Sequence, residues 1–200
     1  MQNKKLFSLF GFILGWFSLI AQFVIMMQSS EVSVIDTIVR FFTFFTILSN
    51  ILVSICFTAV LFNFSSFFKS YKTQTAIAVY ISIVAIVYNI ILRFIWEPTG
   101  LQRIVDELLH VVNPIIFVIY WFMSKNEISL SYKYIFKILI FPLVYLFTVL
   151  LIGSYTNYYP YPFLDVNAIG YTKVIINSIG ISTVFAIVSL LFVFICNRRD

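Results

Sequence analysis

Residues 41–63 read FFTFFTILSNILVSICFTAVLFN, an apolar run without one charged residue. A bilayer core of ~30 Å needs about 20 such residues in helical form. Strands of a membrane barrel would alternate polar and apolar side chains over ~10 residues, and this run does not. A helix satisfies its own backbone hydrogen bonds, which lipid cannot do for it. The stretch reads as a transmembrane helix. Working outward, five more segments have the same character, so the predicted spans are roughly 6–27, 41–63, 75–95, 104–123, 134–155 and 171–196.

The whole composition agrees with that reading. Of 200 residues, 62% are hydrophobic and only 10% charged, and the mean hydropathy is +1.02. Soluble domains carry about 25% charged residues and leave roughly a third of their extended surface in water. Disorder, a nucleic-acid-binding basic surface and a disulfide-stapled secreted fold are excluded together. The first span opens with Lys4 and Lys5, like a signal peptide. Its apolar run is longer than an h-region of ~7–15 residues, and no small-residue cleavage site follows, so it reads as a retained anchor. With short connections and no internal repeat, residues 1–200 are expected to form one all-α domain of six transmembrane helices.

Lys and Arg accumulate on the cytoplasmic side of membrane proteins. Lys4, Lys5, Lys69, Lys72, Lys125, Lys133, Lys137, Arg198 and Arg199 all fall on one predicted side, nine of the thirteen basic residues. The other side holds Arg40, Arg93, Arg103 and Lys173 together with Glu31, Asp36, Glu97, Asp106, Glu107 and Asp165. Both termini are therefore expected to be cytoplasmic, in a multi-pass plasma-membrane protein, and the net charge of +5 is a topology signal. Cys56 and Cys196 read as free thiols in apolar surroundings. One histidine excludes multi-histidine metal clusters, and no metal or cofactor is expected.

Polar residues inside a membrane are costly and usually face the bundle interior. In span two, Thr43, Thr46, Asn50 and Ser54 recur at helical spacing, on one face. In span four, Asp106, Glu107, His110, Asn113 and Pro114 share a second face. Both spans run from outside to inside, and Thr46 and His110 lie at nearly equal predicted depth, ~8 Å below the outer boundary at 1.5 Å per residue. Tyr88, Asn89, Arg93 and Trp96 end span three on that side, and so does the aromatic loop Tyr158-Tyr159-Pro160-Tyr161-Pro162-Phe163-Leu164-Asp165. A polar cavity open to the outer leaflet is the expectation.

A threonine hydroxyl needs a neighbouring base before it becomes a nucleophile. His110, the only imidazole, can act as base and then as acid. Asp106 would orient it, with Glu107 as competitor, and Asn50 or Arg93 would stabilise an oxyanion. A substrate at this depth is a lipid ester or related amphiphile, so membrane lipids are the expected partners and nucleic acid is not. Tyr161 and Asp165 would stand over the cavity mouth, with Arg93 or Arg103 as partner to Asp165. Each feature also has a plainer explanation. Membrane Thr and Asn often serve only as interhelical bonds worth ~0.6 kcal/mol. Acidic residues suit a helix N-terminus, and aromatic residues collect at the interface.

The strings Phe44-Phe45-Thr46-Ile47-Leu48-Ser49-Asn50, Asp106-Glu107-Leu108-Leu109-His110 and Tyr159-Pro160-Tyr161-Pro162-Phe163-Leu164-Asp165 resemble the prokaryotic Pr6Pr family of six-span membrane proteins. Pro142 and Tyr145 in span five extend the likeness along essentially the whole chain. More distantly, the pattern is similar to the eukaryotic androgen-induced and androgen-dependent membrane hydrolases. That resemblance implies a threonine hydrolase of fatty acid esters of hydroxy fatty acids, with Thr46 as nucleophile and His110 as its partner. Thr43 is the rival nucleophile in a shifted register. The competing function is a transporter or lipid-binding protein using the same cavity. Scarce glycine (six in all) and the missing repeat count against transport. Usage rich in Ile, Phe, Lys, Asn and Tyr suggests an AT-rich bacterial source.

Overall fold

The computed structural model describes residues 2–124 and 129–198; Lys125 and Arg199, which enter the charge count above, lie outside them. The described residues contain helices and turns and no strand. The elements are α1 (Gln2–Ser29), α2 (Val34–Thr43), α3 (Phe45–Phe62), α4 (Ser66–Lys69), α5 (Tyr71–Ile90), α6 (Gly100–Glu107), α7 (Asn113–Met123), α8 (Tyr134–Thr156) and α9 (Val166–Asn197). A π-helical turn, Leu108–Val112, joins α6 to α7 without a break. Among the described residues, six helical segments are long and apolar enough to cross a membrane: Lys4–Ser29, Phe45–Phe62, Tyr71–Phe94, Gly100–Met123, Tyr134–Thr156 and Val166–Asn197. Each corresponds to one predicted span.

Contacts divide the chain into two compact units, Met1–Ile128 and Ser129–Asp200. In the first, α1 packs on α3, α3 on α5, α5 on α7 and α7 on α1, which closes a four-helix bundle. Lipid supplies no hydrophobic drive between helices, so small residues and polar bonds must hold them. Gly11 and Gly15 do the first: a methyl group added at Gly11 would meet the Phe57 ring at 2.3 Å, and one at Gly15 would meet Ser54 Oγ at 2.4 Å. Indole N–H groups do the second. Trp16 donates to Thr58 Oγ1 at 3.0 Å between α1 and α3, and Trp121 donates to Thr75 Oγ1 at 2.9 Å between α7 and α5.

Span two differs from expectation at its start. The run of Phe and Thr at 41–46 contains no Pro or Gly, yet the helix breaks at Phe44, whose extended backbone (φ −80°, ψ 122°) caps α2 and starts α3. The amphipathic α2 exposes Ile35, Ile38, Val39 and Phe42 along one stripe and buries Thr37 and Phe41. Phe41 joins Leu19, Ile47, Val105 and Leu109 in an apolar cluster that pins α2 to the bundle. Thr43 therefore ends one helix and Thr46 falls in the first turn of another, and they do not share a helical face.

The second unit is the α8–α9 pair. Asp165 caps α9, its Oδ1 accepting from the amides of Asn167 (2.9 Å) and Ala168 (3.1 Å). Asn197 near the other end of α9 clasps Leu130, donating to its carbonyl at 3.0 Å and accepting from its amide at 2.7 Å. Gly170, at φ +76°, breaks the helical path just after the first turn of α9. Most of α8 is apolar and exposed, as suits a surface in contact with lipid.

Candidate functional site

Thr46 is the second residue of α3, directly after the break at Phe44, and is 6% exposed. Its hydroxyl lies 3.2 Å from Nε2 of His110, which comes from the middle of the π turn. The other ring nitrogen, Nδ1, is 2.9 Å from the Asp106 backbone carbonyl and 3.2 Å from Asp106 Oδ1. A carbonyl oxygen can only accept, so Nδ1 carries the hydrogen. In the neutral imidazole, Nε2 is then the acceptor for the Thr46 hydroxyl. Threonine, histidine and aspartate follow one another in the order of a hydroxyl–base–orienter relay.

Tyr88 of α5 completes the cluster. Its ring stacks on His110 with centroids 4.1 Å apart and planes 14° apart, and its hydroxyl donates to Oδ2 of Asp106. The phenol thereby holds both the carboxylate and the imidazole plane. Arg93 lies over the Tyr88 ring, 5.1 Å from its centroid. Its Nη2 donates to both carboxylate oxygens of Glu107 at 2.7 Å. Exposure rises along this series: Tyr88 3% and Asp106 4%, the His110 side chain 12%, the Glu107 and Arg93 side chains 38% and 41%.

Beneath the pair runs a buried amide network. Asn50 Nδ2 donates to the carbonyls of Thr46 (2.9 Å) and Leu109 (3.1 Å). Asn113 Nδ2 donates to Asn50 Oδ1 and to Ser18 Oγ, both at 2.9 Å, and Ser18 Oγ donates to the Gly15 carbonyl at 3.0 Å. The network joins α1, α3 and α7. Among the described residues, no three His, Cys, Asp or Glu side chains gather into a metal-binding group.

Of the residues singled out by sequence, Thr46, His110, Asp106 and Tyr88 come together, with Asn50 and Asn113 behind them. Asp106 rather than Glu107 meets the imidazole; Glu107 turns to Arg93. Asn50 does not offer an oxyanion donor, because both its amide hydrogens are engaged by carbonyls. Thr43 directs its hydroxyl to the Arg40 carbonyl at 2.7 Å. Asn89 is exposed and donates back to Ala85 at 2.8 Å, outside the cluster. In the second unit, Asp165 is occupied as a helix cap, and Tyr161 is buried, stacked on Phe163 with centroids 5.1 Å apart. Arg93 pairs with Glu107.

The polar face expected along 106–114 is split in two. A plain helix would bring Asp106, His110 and Asn113 into line. The π turn inserts one residue, which rotates everything after it by about 100°. Asp106 accordingly faces α5, while Asn113 reaches α1 and α3. Ser18 and the glycines behind it escaped the sequence reading, although Ser8, Gly11, Gly15 and Ser18 form a legible stripe of small residues along α1.

Comparison with protein-family models, with curated proteins and with solved structures finds no match to this chain.

Proposed function

We propose that this chain is an intramembrane threonine hydrolase of lipid esters, fatty acid esters of hydroxy fatty acids or compounds like them. Its membership of the Pr6Pr family, a bacterial plasma-membrane location and cytoplasmic placement of both termini belong to the same proposal. The basic residues of the termini and of two predicted loops support that topology. One observation carries the chemistry: the Thr46 hydroxyl is 3.2 Å from His110 Nε2 while Nδ1 is held at Asp106.

In the proposed reaction His110 Nε2 takes the Thr46 proton as Oγ attacks the ester carbonyl carbon. The Asp106 carboxylate, 3.2 Å from Nδ1, stabilises the imidazolium that forms. Collapse of the tetrahedral intermediate breaks the C–O bond to the alcohol, which leaves with the Nε2 proton. Water then gives its proton to Nε2 and attacks the acyl-threonine, and Thr46 leaves reprotonated with release of the fatty acid. The ring of Tyr88 keeps the imidazole plane fixed through both halves.

The test is turnover of a long-chain ester with a chromogenic leaving group by purified protein in micelles. Thr46→Ala and His110→Ala are each expected to lower kcat at least about 100-fold, within the range for loss of a nucleophile or its base. Folded variants that turn over at the wild-type rate would overturn the proposal.

A further inference from the structure

Pro114 has no backbone N–H, and it sits just after the π turn. Inside that turn the bonding has shifted by one residue: the Asn113 amide donates to Leu108 rather than to Leu109. The Leu109 carbonyl then has no backbone donor. Its α-helical donor, Asn113, is spent on Leu108, and its π-helical donor would be position 114. A bare carbonyl in a membrane interior must find another partner. It finds the side chain of Asn50 at 3.1 Å.

The same amide nitrogen of Asn50 donates to the carbonyl of Thr46 at 2.9 Å. Asn50 thus grips the backbone of the nucleophile with one hydrogen and the residue before His110 with the other. Its own orientation is locked by Asn113, which donates to Oδ1 and is in turn held by Ser18. Asn50 is 0% and Asn113 2% exposed, so no water competes for these bonds.

We infer that Asn50 is a positioning residue: by filling the carbonyl that Pro114 and the π turn leave open, it sets the separation of the Thr46 hydroxyl from His110 Nε2. This rests on the hydrolase reading only for its kinetic consequence. A misplacement of ~1 Å at such a pair can cost about 100-fold in rate. Asn50 donates to backbone carbonyls, not to the hydroxyl or the imidazole, so its effect must appear in kcat and in the state of the imidazole.

Asn50→Ser is the discriminating variant. A serine hydroxyl can still reach the carbonyl one turn back on α3 but not across to Leu109. The expected result is a kcat lower by about 10- to 100-fold with KM within about threefold of wild type. The chain has a single histidine, so 15N-histidine labelling reports this one imidazole. Its Nε2 resonance in Asn50→Ser is expected to move toward the position seen in Thr46→Ala. A folded Asn50→Ser protein with an unmoved Nε2 resonance overturns the inference, whatever its rate. If the wild-type protein cleaves no ester, the hydrolase reading falls, and the resonance alone still decides the role of Asn50. Should Asn50→Ser not fold, Asn113→Ser, which frees Oδ1 of Asn50, has the same expected shift and the same refutation.

Discussion

Replacing Asn50 by serine and Pro114 by alanine, singly and together, tests whether the open carbonyl of Leu109 is what makes Asn50 valuable to the fold. Asn50→Ser removes the 3.1 Å bond to Leu109 and the 2.9 Å bond from Asn113. An unsatisfied buried carbonyl costs ~1–3 kcal/mol, while measured interhelical bonds in membranes average ~0.6 and reach ~1.7 kcal/mol. A destabilisation of about 1–2 kcal/mol follows for Asn50→Ser in the wild-type background. Pro114→Ala restores a backbone N–H at position 114. Leu109 then gains a backbone donor in either register, from Asn113 if the turn relaxes to α or from the restored N–H if it stays π. The cost of Asn50→Ser should therefore shrink by about 0.5–1.5 kcal/mol in that background. Unfolding in mixed micelles with increasing dodecyl sulfate, followed by far-ultraviolet circular dichroism, measures all four proteins. Equal costs in both backgrounds, within ~0.3 kcal/mol, would refute the reasoning.

Other substitutions have outcomes the structure fixes. Gly15→Ala forces a methyl to 2.4 Å from Ser54 Oγ and should destabilise by ~1–3 kcal/mol, whereas Gly180→Ala meets nothing within 4 Å inside α9 and should gain up to ~1 kcal/mol; thermal unfolding separates them. Asp165→Ala removes the acceptor of two first-turn amides and should cost ~1 kcal/mol in the same assay. Arg93 and Glu107 are each more than a third exposed, so a double-mutant cycle should give a coupling below ~1 kcal/mol that weakens with salt.

The six long apolar helices were legible because lipid would impose one rule, an apolar helix of sufficient length, and the described residues satisfy it six times. Their internal breaks were not. At Phe44 an extended residue separates two helices within a run of Phe and Thr that no Pro, Gly or charge interrupts. Hydropathy is blind to a change of direction between equally apolar pieces. Thr46, Asp106 and His110 stood out because polar residues in a span are few, and the two faces carrying them do meet. The partnership of Tyr88 with both Asp106 and His110 depends on a third helix, which spacing along one helix cannot report. The π turn left a trace in Asn113-Pro114, since a missing donor must be compensated, but the compensating residue, Asn50, lies 59 positions before the Leu109 carbonyl that it fills. Asn89 and Asp165 share the polar character of true site residues and spend it on local bonds. Composition cannot separate those uses.

The most direct measurement is covalent labelling of the purified protein with an ester-mimicking organophosphorus electrophile, read out by mass spectrometry of the modified residue. The expected result is a single adduct on Thr46 that is lost in His110→Ala while that variant remains folded. Adducts scattered over other hydroxyls, with Thr46 unmodified, would contradict a hydroxyl activated by His110.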